Sequence, residues 1–201
     1  MSWKADINWL KEVFSDPVNS SINDMDQLPD DCLSTLLSFS HEISVCKGDE
    51  IQASDTVGRY LYIIHKGAVR AHYFSDGNDI TSWFAFEHHF VFISSYMTRV
   101  PNFEALEAIE DSELLAIDVS QLSSAYNKNI EMANLGRMLA ELGLVYTEEL
   151  LFDLKFHTAQ ERYARLLKNQ PEVIKRCKLG DVASYLGVTQ VTLSRIRSEM
   201  E

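Results

Sequence analysis

The sequence predicts an α+β chain in three successive parts: an N-terminal roll of short strands (jelly-roll-like), one long helix, and a compact helical C-terminus. Three observations carry this. Between His41 and Asp118, short β-prone runs alternate with turn signals. From Ile130 to Leu154, apolar residues recur at three-four spacing with no proline. Charge then changes sign along the chain. Residues 1–150 hold nine Lys+Arg against 24 Asp+Glu, a net of −15, whereas 151–201 hold nine against six, a net of +3.

The N-terminal elements are helical. Trp3, Ile7, Leu10 and Phe14 fall at helical spacing, and "SDPVNSS" ends that segment. A second short helix is expected within "DQLPDDCLSTLLSF". The pattern changes at His41. The runs "HEISVCKGDEIQ", "YLYIIHKGAVRAHYF", "DITSWFAF", "HHFVFISSYM", "FEALEAIE" and "SELLAID" are separated by Lys47-Gly48-Asp49, Lys66-Gly67, Asp76-Gly77-Asn78 and Val100-Pro101-Asn102. Asp76-Gly77 between alternating residues is a hairpin signal, because both turn positions need positive φ.

The long helix carries Leu135, Met138, Leu142 and Val145 in a stripe, widened by Leu139 and Tyr146. Such a stripe is either ordinary core packing or half of a short coiled coil. The expectation here is a homodimer seam of Leu135, Met138, Leu142 and Val145, weakening after Glu149. Beyond it, Thr158 with Glu161 reads as a capping box, and Tyr163, Leu166 and Leu167 as the buried face of the next helix.

Residues 179–196 read "LGDVASYLGVTQVTLSRI". The spacing is that of a helix-turn-helix. Ala183 falls where two helices cross closely, Gly187 at a turn wanting positive φ, and Thr189 at an N-cap. Val182, Leu186, Leu193 and Ile196 supply the apolar contacts. Residues 155–197 hold nine basic against three acidic residues, a net of +6, which suits a phosphate-lined partner. A reading helix inserts its N-terminal part into the major groove. Gln190 can pair with adenine and Arg195 with guanine, while Val191 meets a thymine methyl. Lys178, Thr189, Thr192 and Arg197 are phosphate candidates. The alternative is a helical hairpin that only packs, in a signalling or interaction module that binds no DNA.

On the stretches "KGDEI" (47–51), "YLYIIHKGAVR" (60–70), "AIEDSELLAID" (108–118), the 130–154 helix and "DVASYLGVTQVTLSRI" (181–196), the chain resembles the Crp/Fnr family of bacterial transcription regulators. The resemblance runs from about residue 22 to the end. It implies a cyclic-nucleotide-binding-type sensor roll over 1–129, a dimerisation helix over 130–154 and a helix-turn-helix DNA-binding domain over 155–201. It implies a homodimer on a two-fold operator that recruits or blocks RNA polymerase, with a small-molecule effector or none.

Departures narrow that implication. Nucleotide-binding members of the family carry a Gly-Glu pair, then an Arg followed by a small hydroxyl residue. Here the Gly-Glu region reads "FVFISSYM", and Asn102 and Phe103 stand near the Arg and hydroxyl positions. A cyclic phosphate would lack its charge-assisted partner. Cyclic AMP is therefore not the expected effector. Phe92, Tyr96, Arg99 and Asn102 are the candidate effector-pocket residues, with an apolar lining drawn from Trp83, Phe84, Phe86 and Phe90. The N-terminal cysteine cluster of the iron–sulfur branch is missing, and the usual Arg-Glu start of the reading helix is Gln190-Val191. No wing hairpin is expected after Ile196.

The remaining signals point away from other classes. Cys32, Cys46 and Cys177 are too scattered for a disulfide framework, and no paired spacing suggests zinc. His88-His89 with Glu87 invites a metal, even a cupin-like metal enzyme, but adjacent strand residues face opposite ways, so neither metal nor cofactor is expected. No catalytic triad can be picked out, and no enzyme activity is expected. The N-terminus is not a signal peptide, and no apolar run approaches the ~20 residues of a membrane span. A cytoplasmic protein is the expectation.

Overall fold

The computed structural model describes residues 3–19, 22–91 and 94–200. Helix α1 (Ile7–Ser15) is capped by the Asp6 carboxylate, which accepts from the Trp9 amide. A single 3-10 turn (Met25–Gln27) precedes α2 (Asp30–Ser38). Strands β1 (Ser40–Val45), β2 (Glu50–Gln52), β3 (Tyr60–Lys66), β4 (Val69–Ser75), β5 (Asn78–Ala85) and β6 (Phe90–Val91) follow. After α3 (Ser94–Thr98) come β7 (Ala105–Ala108) and β8 (Ser112–Asp118). Helices α4 (Val119–Tyr126), α5 (Ile130–Phe156), α6 (Ala159–Asn169), α7 (Pro171–Arg176), α8 (Leu179–Tyr185) and α9 (Gln190–Met200) complete the chain.

The strands form two antiparallel four-stranded sheets, ordered β1-β8-β3-β6 and β2-β7-β4-β5. The α+β fold and its roll are those expected from the sequence. Strands β4 and β5 meet at Asp76-Gly77, both at positive φ (51° and 78°), the conformation that a two-residue hairpin of this twist needs.

Alternation along β3 and β8 builds two cores back to back. Tyr62, Ile64, Leu114 and Ala116 point into the roll with Val69, Ala71 and Leu106. Leu61, Ile63, Leu115 and Ile117 point outward, against α1, α2, α4 and the first half of α5. The α4–α5 packing is close: a Cβ on Gly136 would lie 2.9 Å from the Tyr126 ring.

Helix α5 is 27 residues long, about 40 Å at the α-helical rise. The Asn129 side chain caps it, accepting from the amides of Glu131 and Met132. Its stripe faces inward. Leu135, Met138 and Leu142 are buried in the chain's own outer core with Met132 and Leu139, and Val145 packs at its edge. This corrects the seam expected from the sequence, because the roll and α1–α2 already cover the stripe. The exposed apolar residues lie on other faces, Ile130 at the start of α5 and Leu144, Leu151, Phe152, Leu154 and Phe156 toward its C-terminal half.

A third core joins the C-terminal helices to the roll. Tyr163, Leu166, Val173, Val182, Ala183, Leu186, Leu193 and Ile196 cluster with Ala68, Phe84 and Phe86 of the roll. The boundary at residue 155 is therefore crossed by one continuous apolar cluster.

Candidate nucleic-acid interface

Helices α8 and α9 build the helix-turn-helix from local rules. Helix α8 ends in a Schellman motif. The Gly187 amide donates to the Ser184 carbonyl at 2.9 Å and the Val188 amide to the Ala183 carbonyl at 2.9 Å, with Gly187 at φ +67°. Arg162 of α6 donates to the Leu186 carbonyl at 2.7 Å, fixing the turn to the helix behind it. Thr189 then caps helix α9. Its hydroxyl accepts from the Thr192 amide at 3.1 Å and lies 2.9 Å from the Thr192 hydroxyl. Ala183, Leu193 and Ile196 are buried between the two helices.

The opposite face of α9 is open. Val191 is 81% exposed. Gln190 and Arg195 are exposed beside it, and Arg195 has only a 3.9 Å approach to Glu199. Lys178 occupies the N-cap position of α8, and Arg197 is half-buried along α9. The exposed residues Gln190 and Val191 open α9 at the positive end of the helix, where a phosphate oxygen would be received. These residues lie along one helix-turn-helix unit.

Not every cation of the basic tail is available. Arg162 donates to the carbonyls of His157 and Leu186. Arg165 pairs with Asp153 at 2.8 Å. Arg176 makes bidentate contacts with Glu87 (2.7 and 2.9 Å) and Glu110 (3.1 and 2.8 Å) of the roll. All three enter the +6 balance of 155–197, which therefore overstates the charge free for phosphate. Only the ring of carbonyls and carboxylates around them, drawn from distant segments, reveals their structural use.

The candidate effector residues do not converge. Tyr96 packs at the edge of the outer core and shares a 2.8 Å hydrogen bond with Tyr126. Arg99 turns away to donate to the Val119 carbonyl at 3.3 Å. Asn102 is buried, donating to Glu104 at 3.2 Å and accepting from the Ser94 hydroxyl at 3.2 Å. Phe92 lies outside the described residues. Trp83 faces the roll interior, Phe90 the outer core, and Phe84 and Phe86 the C-terminal helices. One apolar pocket shared by these rings is therefore not what the fold builds, because neighbouring positions on β5 face opposite ways.

The histidine pair lies in a turn, not a strand. His88 has φ +66° and its Nδ1 is 2.8 Å from Asp16. Burial holds His89 well below the usual imidazole range, at about 4, despite the nearby carboxylates of Asp16 and Glu87. No group of three or more His, Cys, Asp or Glu side chains suited to a metal occurs among the described residues.

Comparison with known proteins fits this architecture. The cyclic nucleotide-binding domain family matches residues 42–129. FixK2 from Bradyrhizobium japonicum is similar at 28% identity over 80% of this chain and 84% of that one, with a TM-score of 0.68. A putative transcriptional regulator of the Crp/Fnr family from Eubacterium rectale is similar at 17% identity, over 88% and 85% of the two chains, with a TM-score of 0.67. The Thermus thermophilus catabolite activator protein follows at 19% identity, 86% and 84% coverage, and a TM-score of 0.55. No curated protein matches the sequence. The chain thus carries a cyclic nucleotide-binding-type roll joined by a long helix to a helix-turn-helix. Its fold is that of the Crp/Fnr transcription regulators, as the sequence resemblance implied. Among the described residues, no helix is long and apolar enough to cross a membrane.

Proposed function

We propose that the chain is a cytoplasmic, homodimeric, sequence-specific DNA-binding regulator that acts on an inverted-repeat operator through RNA polymerase and is not an enzyme. One observation carries the reading: α9 buries Leu193 and Ile196 while leaving Gln190, Val191 and Arg195 in solvent at its N-terminal half. Gln190 and Arg195 read adenine and guanine edges, and Val191 meets a thymine methyl. Lys178, Thr189, Thr192 and Arg197 hold phosphate, with the α9 amides.

Dimerisation uses the exposed face of α5. Ile130, Ala133, Arg137, Ala140, Leu144, Thr147, Leu151 and Leu154 repeat at strict three-four spacing on the side away from the buried stripe. Leu144 is 63% exposed and Leu151 49%, and both gain an apolar partner in a parallel pair. The roll (1–129), helix (130–154) and helix-turn-helix unit (155–201) divide these tasks. Cyclic AMP is not the effector by the usual mode, because Asn102 is committed to Ser94 and Glu104 and Arg99 to Val119.

The test is a mobility shift on random duplex DNA across a salt series. Phosphate contacts release counterions, so log affinity falls linearly with log salt. Absence of any shift at low salt would leave the interaction-module reading in its place.

A further inference from the structure

The helix-turn-helix unit is fastened to the roll of its own chain at two arginine clusters flanking an apolar contact. At one end, Arg70 of β4 is nearly buried. It donates to Glu107 (2.7 Å), Asp79 (2.8 Å), Thr81 (3.2 Å) and, across to α8, Asp181 (3.1 Å). At the other, Arg176 of α7 reaches back to Glu87 and Glu110 and stacks 4.9 Å above the Phe86 ring. Between them, Phe84 meets Tyr185 edge-on at 5.5 Å, and the Thr81 amide donates to the Ser184 hydroxyl at 3.0 Å.

Two features of this contact bear on its purpose. It is made by α7 and α8, and it leaves the Gln190, Val191 and Arg195 face of α9 open. A contact built to block DNA would cover that face or pair its cations with the acidic roll. Instead, the one tail arginine that the roll engages in these clusters, Arg176, lies on α7 and not on the α9 face. The contact is also a shared apolar core with charge-assisted hydrogen bonds on both sides, so separating the units would expose Phe84 and Phe86 and take Asp181, Glu87 and Glu110 from their arginines at once.

We propose that the helix-turn-helix unit binds DNA in this docked arrangement, with Arg70 and Arg176 as positioning residues for α9, so that roll and reading helix move as one body without an effector-driven rotation between them. This rests on the DNA-binding reading above. It makes the roll a mount that sets where α9 stands relative to its copy in the dimer, and hence the spacing between half-sites.

A cross-link tests it. Thr81→Cys with Ser184→Cys, made in a Cys46→Ser chain to remove the exposed native thiol, is oxidised and the bond verified by mass. Anisotropy then compares oxidised and reduced protein on an inverted repeat selected with the parent chain. The expected affinities agree within threefold. A larger loss on oxidation, reversed by dithiothreitol, overturns the proposal, as does failure of the two thiols to join. If the reduced protein binds no DNA, the DNA-binding reading falls and the proposal with it. Arg176→Gln gives a second readout. Its expected signature is at least a tenfold loss on the selected repeat and tolerance of a spacer longer by one base pair, with non-specific binding unchanged. Unaltered spacing preference in that variant would also overturn the proposal.

Discussion

Arg70 and Asp181, 111 residues apart in sequence, are joined by a 3.1 Å hydrogen bond between a sheet strand and the first helix of the helix-turn-helix. Arg70 is the shared partner of three carboxylates and is 7% exposed. Removing it leaves those carboxylates facing one another without a cation. Arg70→Met should therefore cost about 3–5 kcal/mol of unfolding free energy. Asp181→Asn keeps a hydrogen-bond acceptor and should cost about 1 kcal/mol. Urea titrations of both variants check this ordering, and equal losses would contradict it.

The same contact predicts an acid limb. Burial alone would raise the Glu87 carboxyl, but hydrogen bonds from Arg176 and from backbone amides, including Gly67, outweigh it and hold the group at about 2. A depressed carboxyl contributes stability above its unfolded value of 4.5, and that stability is lost as pH falls from there toward 2. His89 adds a second window. Its folded value near 4 lies below the unfolded 6.5, so the unfolded chain takes up a proton that the folded chain refuses. Stability should fall from pH 6.5 downward, and His89→Phe should flatten the limb between 6.5 and 4. Thermal melts across pH 2–7 measure both. A His89→Phe chain with an unchanged slope in that window would refute the assignment.

The two faces of α5 should respond differently to the same substitution. Leu142→Glu buries a charge in the chain's own core and should destabilise the fold by at least about 3 kcal/mol. Leu144→Glu should leave the far-ultraviolet circular dichroism intact and give monomers in light scattering. A fully dimeric Leu144→Glu chain would place the seam elsewhere.

This contrast shows what the sequence could carry. Periodicity identified the Leu135, Met138, Leu142 stripe as buried, since a helix face repeats locally. It could not say whether a partner or the chain's own roll buries it, because the covering residues Leu33, Leu61 and Leu122 come from distant segments. Turns at Asp76-Gly77 and Gly187 were legible for the opposite reason: the constraint is a backbone angle at one residue. Arg162 and Arg176 counted as basic in the tail, but only tertiary contacts remove them from the DNA side. His88 and His89 read as strand, and the turn at positive φ was hidden because histidine carries little turn signal.

A calorimetric titration with cyclic AMP should give no heat at micromolar concentrations. Asn102→Ala should instead lower stability by about 1 kcal/mol, since it removes the buried side chain's hydrogen bonds with Ser94 and Glu104. Micromolar binding by the unaltered protein would mean that the segment around Asn102 rearranges to admit the nucleotide.

The central claim is that α9 reads bases. The direct measurement is affinity of Arg195→Ala and Lys178→Ala for a selected inverted repeat, for single-base variants of it, and for random duplex. Arg195→Ala should lose about 1–3 kcal/mol on the selected repeat and relax preference at one base pair per half-site, with half-sites roughly 34 Å apart. Lys178→Ala should weaken every duplex alike and shallow the salt slope. Equal weakening of all sequences by Arg195→Ala would make it a phosphate contact, and no effect of either substitution would contradict DNA reading by α9 altogether.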